Sequence, residues 1–191
     1  KSKLMSKSKK SKLKILVTGG SGFIGSAITN YLVKNGHSVT VFDNNSRGRM
    51  RRLHGVLSKI RFKKGDIRDY KKLKSITGNF DTVIHLAYVN GTKYFYKKPF
   101  EILDIAVNGL LNILKFSKEK KVKNFYLASS SEVYQNPIRY PTDEKEVLKI
   151  PDIHNPRYSY GGGKIFSELY GINYAKKNFK KFIIFRPHNV Y

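Results

Sequence analysis

Three groups of residues in this chain have the types and spacing for chemistry. Tyr160 and Lys164 stand at i and i+4 in a helix-like stretch, so both side chains share one helix face. An ammonium held beside a phenol favours the phenolate and moves a pKa of about 10 towards working pH. About 30 residues upstream, Ser129-Ser130-Ser131-Glu132-Val133-Tyr134 follows a strand-like run. A serine hydroxyl there reaches the same substrate oxygen, and the set forms a general base for an alcohol. Tyr-x-x-x-Lys alone is most often a surface pair; the third group changes that.

The third group is Lys14-Ile-Leu-Val-Thr-Gly-Gly-Ser-Gly-Phe-Ile-Gly25, an apolar run that breaks into glycines and then reads as a helix. It satisfies both Gly20-x-Gly22-x-x-Gly25 and Gly19-x-x-Gly22-x-x-Gly25. The first glycines allow a tight turn and close backbone approach to a pyrophosphate. The last lets the helix pack on its strand, and the helix N-terminus offers free N–H groups to phosphate. Asp43 follows 18 residues after Gly25, at the end of a second apolar run. It is placed to accept from a ribose 2′-OH, which favours NAD; Arg47 and Arg49 would instead welcome the 2′-phosphate of NADP. The alcohol base then stands beside a nicotinamide.

Strand-like and helix-like runs alternate, the pattern of a doubly wound parallel sheet, an α/β Rossmann fold in three layers. Strands are expected at 15–17, 38–42, 59–63, 82–86, 124–128 and 182–185. Helices are expected at 23–35, from Pro99 to about 118, and from Tyr160 to about 177. Ligands bind beyond the carboxyl ends of such strands, where Asp43, Asp66, His85, Ser129 to Ser131 and Arg186 lie. His85 reads as structural rather than catalytic.

A chain of 191 residues, 40% hydrophobic and 13% aromatic, suits one domain with a sizeable core. No run approaches the roughly 20 apolar residues that span a bilayer, and the N-terminus is no secretory signal. There is no Cys, hence no disulfide or thiol chemistry. No histidine spacing suggests a metal. A soluble, cytoplasmic protein is the expectation. Residues 1–14 supply seven of the formal +25 charges and no acid, so residues 1–13 read as a disordered basic arm. The remainder still carries +18. Without a nucleic-acid module, and with aromatics in apolar runs, this reads as a lysine-biased surface that attracts anionic substrates rather than as a nucleic-acid or membrane site.

The chain resembles the NAD-dependent epimerase/dehydratase family of nucleotide-sugar enzymes, within the extended short-chain dehydrogenases/reductases. The resemblance rests on Thr18 to Gly25, Phe42-Asp43-Asn44, Gly65 to Asp69, His85-Leu86-Ala87, Ser129 to Tyr134, Tyr160-x-x-x-Lys164 and Arg186 to Tyr191, all in the family's order. It implies that Gly19, Gly22, Phe23, Ile24 and Gly25 line the pyrophosphate, and that Asp43 and Asn44 hold the adenosine ribose. Asp66 and Ile67 would flank adenine, with Leu86 and Ala87 under the cofactor. Tyr160 would be the base, Lys164 its pKa-lowering partner and a nicotinamide-ribose ligand, and Ser130 the substrate-orienting hydroxyl. Asn189, with Ser131 and Glu132, would meet a nucleotide-diphosphate sugar.

The implied chemistry oxidises the sugar C4-OH to a 4-keto intermediate whose fate defines the enzyme. Dehydratases of this family carry Asp-Glu after the catalytic Thr or Ser; here the pair is Ser131-Glu132, similar to the UDP-glucuronate decarboxylases. Epimerisation needs neither acid and is placed first, decarboxylation second, dehydration or reduction after them. A non-catalytic basic anion-binding module on the same scaffold is the alternative of another class. Departures from the family pattern are Ala106 in place of an Asn, Tyr88 where a small residue is common, and Gly161 to Gly163. Those glycines imply either close backbone approach to substrate or a loosened first turn. The resemblance further implies a homodimer through the two long helices and a C-terminal substrate domain beyond Tyr191.

Overall fold

The computed structural model describes residues 11–190; most of the expected basic arm, residues 1–10, lies outside them. Strands β1 (Lys14–Thr18), β2 (Ser38–Asp43), β3 (Ile60–Lys64), β4 (Thr82–His85), β5 (Asn124–Ala128) and β6 (Lys181–Phe185) form one sheet in the order β3-β2-β1-β4-β5-β6. Every neighbouring pair is parallel. The chain direction across the sheet reverses between β1 and β4, which opens a crevice at their carboxyl ends. The doubly wound fold expected from the alternating pattern is what forms.

Side-chain alternation explains why both faces are covered. Leu16 on β1, Phe42 on β2, Val83 on β4 and Phe125 and Leu127 on β5 join Leu110, Ile113 and Leu114 in one buried cluster. Ile15, Val17, Val39 and Val41 point to the other face and pack with Leu53 and Val56. Strands buried on both sides read as continuous apolar runs. The helices are α1 (Phe23–Lys34), α2 (Tyr70–Lys74), α3 (Thr92–Lys97), α4 (Pro99–Asp104), α5 (Leu110–Glu119) and α6 (Ser159–Asn178). Among the described residues none is long and apolar enough to cross a membrane.

The structure departs from the expected helix after Pro99 in one instructive way. Between α4 and α5 the helix widens into a π turn, Ile105–Gly109. There Gly109 lies so close to Ile67 that a Cβ would come within 2.5 Å of its Cδ1, and Ala106 is buried. Such turns displace backbone and side chains locally and favour functional sites. The 3₁₀ segment Met50–Lys59 and the short α2 and α3 carry too few apolar positions to announce themselves in the sequence; in the first, Leu53 and Val56 alone are buried.

Candidate active site

β1 ends because Gly19 turns back with φ +74°, a conformation that favours glycine. Its backbone lies against β4's extension: a Cβ at 19 would sit 2.7 Å from the Ala87 nitrogen. A Cβ at Gly25 would collide with the Gly19 carbonyl, so the start of α1 can press on the turn. Among the described residues no side chain caps the N-terminus of α1, which leaves its first N–H groups for an anion. The result is a cleft of about 600 Å³ running from the end of β2 to the end of β5, lined by Gly19, Gly22, Phe23, Ile24 and Gly25 at its centre.

Asp43 is fixed within this cleft: its carboxylate accepts from the Ser21 N–H at 2.9 Å and the Asn45 N–H at 2.8 Å. Each oxygen keeps a lone pair for a ribose hydroxyl. Asn44 donates to Asp66 at 3.0 Å, and Arg68 holds the same carboxylate at 2.8 Å. Arg68 thereby keeps the Asp66 carboxyl below the usual carboxylate range. Asp66, Ile67, Leu86 and Ala87 all line the cleft. Of the two arginines weighed for a 2′-phosphate, Arg47 lines it, stacked 4.7 Å over the Tyr94 ring, whereas Arg49 does not. Arg52, over Phe23, is a lining cation that sequence reasoning missed.

At the other end stand Ser130, Tyr160 and Lys164, all buried and all lining the cleft. Asn155 caps the 3₁₀ turn Pro156–Tyr158 by accepting from the Arg157 N–H at 3.0 Å, and this sets the entry of α6. Lys164 donates to the Ala128 carbonyl at 2.7 Å. Its ammonium lies 3.9 Å from the Tyr88 ring centre and 5.7 Å from that of Tyr160. Burial lowers the Lys164 ammonium to about 7, with Glu168 opposing the shift.

One expectation is corrected here. The Tyr160 phenol is raised, not lowered: burial dominates, the Ser130 hydroxyl beside it pulls the other way, and Glu132 adds repulsion. Lys164, 5.7 Å from the centre of that ring and itself lowered by burial, is not among the groups that shift the phenol. His85 is held by Thr18, 2.7 Å from its Nδ1, and burial pushes the imidazole down to about 3. It is a neutral structural residue, as the sequence suggested.

The glycines of α6 have a reason that neither earlier alternative supplied. A Cβ at Gly161 would lie 2.9 Å from the Glu132 carbonyl, and one at Gly163 would collide with the Tyr88 hydroxyl. They let α6 press on the Ser131–Val133 turn and on Tyr88. Ser131 and Glu132 do not line the main cleft; they border a neighbouring cavity of about 920 Å³ with Arg157 and Arg186. The Arg157 guanidinium meets both Glu132 oxygens at 3.1 and 3.0 Å and lies over Phe95. Arg157 and Phe95 carried no motif and were not anticipated. Asn189, by contrast, lines the main cleft.

The chain is 35% identical over 171 residues to a UDP-glucose 4-epimerase of Halalkalibacterium halodurans, covering 84% of this chain and 48% of that protein. It is 32% identical to a UDP-N-acetyl-alpha-D-glucosaminuronate decarboxylase of Bacillus cytotoxicus, over 94% of this chain and 55% of the relative. The chain thus spans about half the length of the curated relatives it matches. The crystal structure of UDP-glucose 4-epimerase from Bifidobacterium longum in complex with NAD+ and UDP superposes with a TM-score of 0.79 and 28% identity, over 91% of this chain and 52% of that one. The glycine cradle, the uncapped α1 and the fixed Asp43 fit NAD. With the profile of the NAD dependent epimerase/dehydratase family matching residues 15–191, the chain belongs to that family.

Proposed function

We propose that residues 14–191 form the NAD-binding domain of a nucleotide-sugar 4-epimerase whose sugar-selecting part lies in a further segment. The observation that carries this reading is the convergence of Ser130, Tyr160 and Lys164 at one end of a glycine-cradled cleft. When bound, NAD supplies a reversible hydride acceptor. Tyr160 takes the proton of the sugar 4-OH, and Ser130 holds the same oxygen. Lys164 donates one of its three N–H groups to Ala128 and has others for the cofactor ribose and the phenolate. In its protonated form Lys164 favours the phenolate of Tyr160 on the same helix face. The 4-keto sugar, reduced again from its other face, is the C4 epimer. The substrate is a UDP-sugar, as the names of the relatives suggest.

Decarboxylation of a UDP-uronate is the second reading, because Ser131-Glu132 matches that pattern and one relative carries that name. Against it, Glu132 is already engaged by Arg157 and Gln135, so it is no free acid or base. A non-catalytic anion-binding role leaves the buried Ser130, Tyr160 and Lys164 set without a purpose.

The quaternary proposal is a homodimer. Phe100 is 81% exposed on α4, and Leu169 is 65% exposed on α6. Leu103 and Ile172 are exposed on the same two helices, which touch each other, and a second copy would cover these apolar side chains. A cytoplasmic location, with the NAD pool the reaction needs, completes the reading.

The test has two parts. The purified chain is denatured and the released nucleotide identified by mass spectrometry, with NAD expected. The full-length protein is then given UDP-glucose and followed by proton NMR, with UDP-galactose expected. Tyr160→Phe should abolish turnover while leaving NAD affinity within about twofold. Carbon dioxide release from UDP-glucuronate would establish the decarboxylase instead, and near-full turnover by Tyr160→Phe would remove Tyr160 as the base.

A further inference from the structure

Tyr88 follows β4 and points into the region where α6 meets the π turn. Its ring touches both members of the Tyr160–Lys164 pair at once. The Tyr160 ring stands perpendicular to it at 5.2 Å between centroids, with an interplanar angle of 89°. The Lys164 ammonium sits 3.9 Å from its centroid. The space for this ring is made by two small residues: a Cβ at Gly163 would collide with the Tyr88 hydroxyl and fall 2.8 Å from the Ala106 Cβ. The hydroxyl itself is buried and finds no hydrogen-bond partner among the described residues. The contacts that Tyr88 makes with the working pair are therefore those of its ring.

We propose that Tyr88 is a positioning residue, its ring bracing Tyr160 and holding the Lys164 ammonium by a cation–π contact in a slot made by Ala106 and Gly163. The negative face of an aromatic ring attracts a cation, most strongly where water is excluded. Lys164 is fully desolvated, which drives it towards the neutral amine. Among the described residues the titratable groups that face it are His85 on β4, Tyr88 beyond it, Tyr160 and Glu168 on α6, and Arg186 after β6 through its pair with Glu168. His85 is neutral, and Glu168, which favours the ammonium, is shared with Arg186. The ring of Tyr88 then joins the Ala128 carbonyl, which accepts from Lys164 at 2.7 Å, in keeping the proton on Lys164.

This inference rests on the reading of Tyr160 and Lys164 as the working pair. Its test needs neither cofactor nor turnover. Lysine labelled with ¹³C at Cε is incorporated into the 191-residue chain, and the Cε shifts are followed by NMR from pH 5 to 11. Lys164 should stand apart by titrating near 7, and Lys164→Met identifies its signal. Tyr88→Phe should leave that midpoint unchanged within about 0.3 unit. Tyr88→Leu should lower it by about one unit or more. A trifluorinated phenylalanine at position 88 keeps the shape and weakens the ring's negative face, so it should lower the midpoint even if the Leu variant fails to fold. An unchanged midpoint in the fluorinated protein overturns the proposal. That result would leave the proposed epimerase standing, whereas absence of NAD binding would count against the epimerase and not against Tyr88.

Discussion

The Lys164 ammonium donates to the Ala128 main-chain carbonyl across 2.7 Å and ties the beginning of α6 to the last residue of β5. A charged group this buried makes stability depend on pH. Burial lowers Lys164 to about 7, so between about 7 and its ordinary 10.5 the folded chain binds fewer protons than the unfolded one. Stability contributed by that difference is complete above the unfolded value and is lost as pH falls towards 7. His85, lowered to about 3, acts in the same sense between about 3 and 6.5. Urea unfolding of the wild-type chain should give midpoints that rise from pH 7 to 9.5 relative to those of Lys164→Met. Parallel curves for the two proteins would show that Lys164 is not desolvated as described.

Arg186 grips Glu168 with two hydrogen bonds, 2.9 and 2.6 Å, and joins the chain after β6 to α6. Glu168 is 2% exposed, so removing its charge leaves a guanidinium without its partner in a partly buried setting. Glu168→Gln should destabilise the chain by about 3 kcal/mol, at the lower end of the range for breaking a buried pair. Chemical denaturation measures it. A loss below about 1 kcal/mol would place this pair with ordinary surface bridges.

What could be read from the sequence was local. The β1–glycine–α1 unit depends on residues within a dozen positions of one another, and Asp43 on the next strand end. Tyr160 and Lys164 needed only the helical period. What could not be read involved partners brought together by the fold. Arg157 finds Glu132 25 positions away, and Thr18 meets His85 across 67. The reason for Gly163 lies in Tyr88, on a different strand connection, and the π turn at Ile105–Gly109 depends on packing against Ile67. Spacing places Lys164 beside Tyr160, but the burial that raises the phenol and lowers the ammonium exists only once both are packed.

Gly19 combines a positive φ with close packing against Ala87. An alanine there meets both a left-handed backbone penalty and a backbone clash, so Gly19→Ala should cost about 2 kcal/mol of stability and reshape the turn. NAD affinity, read by calorimetry, should fall at least about tenfold. Gly36→Ala is the control: its φ is +81° but a Cβ there would meet nothing within 4 Å. It should lose about 1 kcal/mol of stability and bind NAD as the wild type does. Equal losses of NAD affinity in the two variants would mean that the turn at Gly19 does not form the cofactor cradle.

The exposed apolar side chains on α4 and α6 make a different prediction, because Phe100 and Leu169 lie mostly outside the packed interior. Phe100 and Leu169 are 81% and 65% exposed, so replacing them with lysine costs little in the folded monomer. In a dimer formed through this face, the same changes bury charge and place like charges opposite one another across a two-fold interface. Light scattering after size exclusion should therefore report a dimer of about twice 22.0 kDa for the wild-type chain and a monomer for Phe100→Lys/Leu169→Lys. Thermal midpoints measured at low protein concentration, where both are monomeric, should agree within a few degrees. A dimer that survives the double substitution would move the interface away from these helices, and a monomeric wild type would show that α4 and α6 do not suffice to form it.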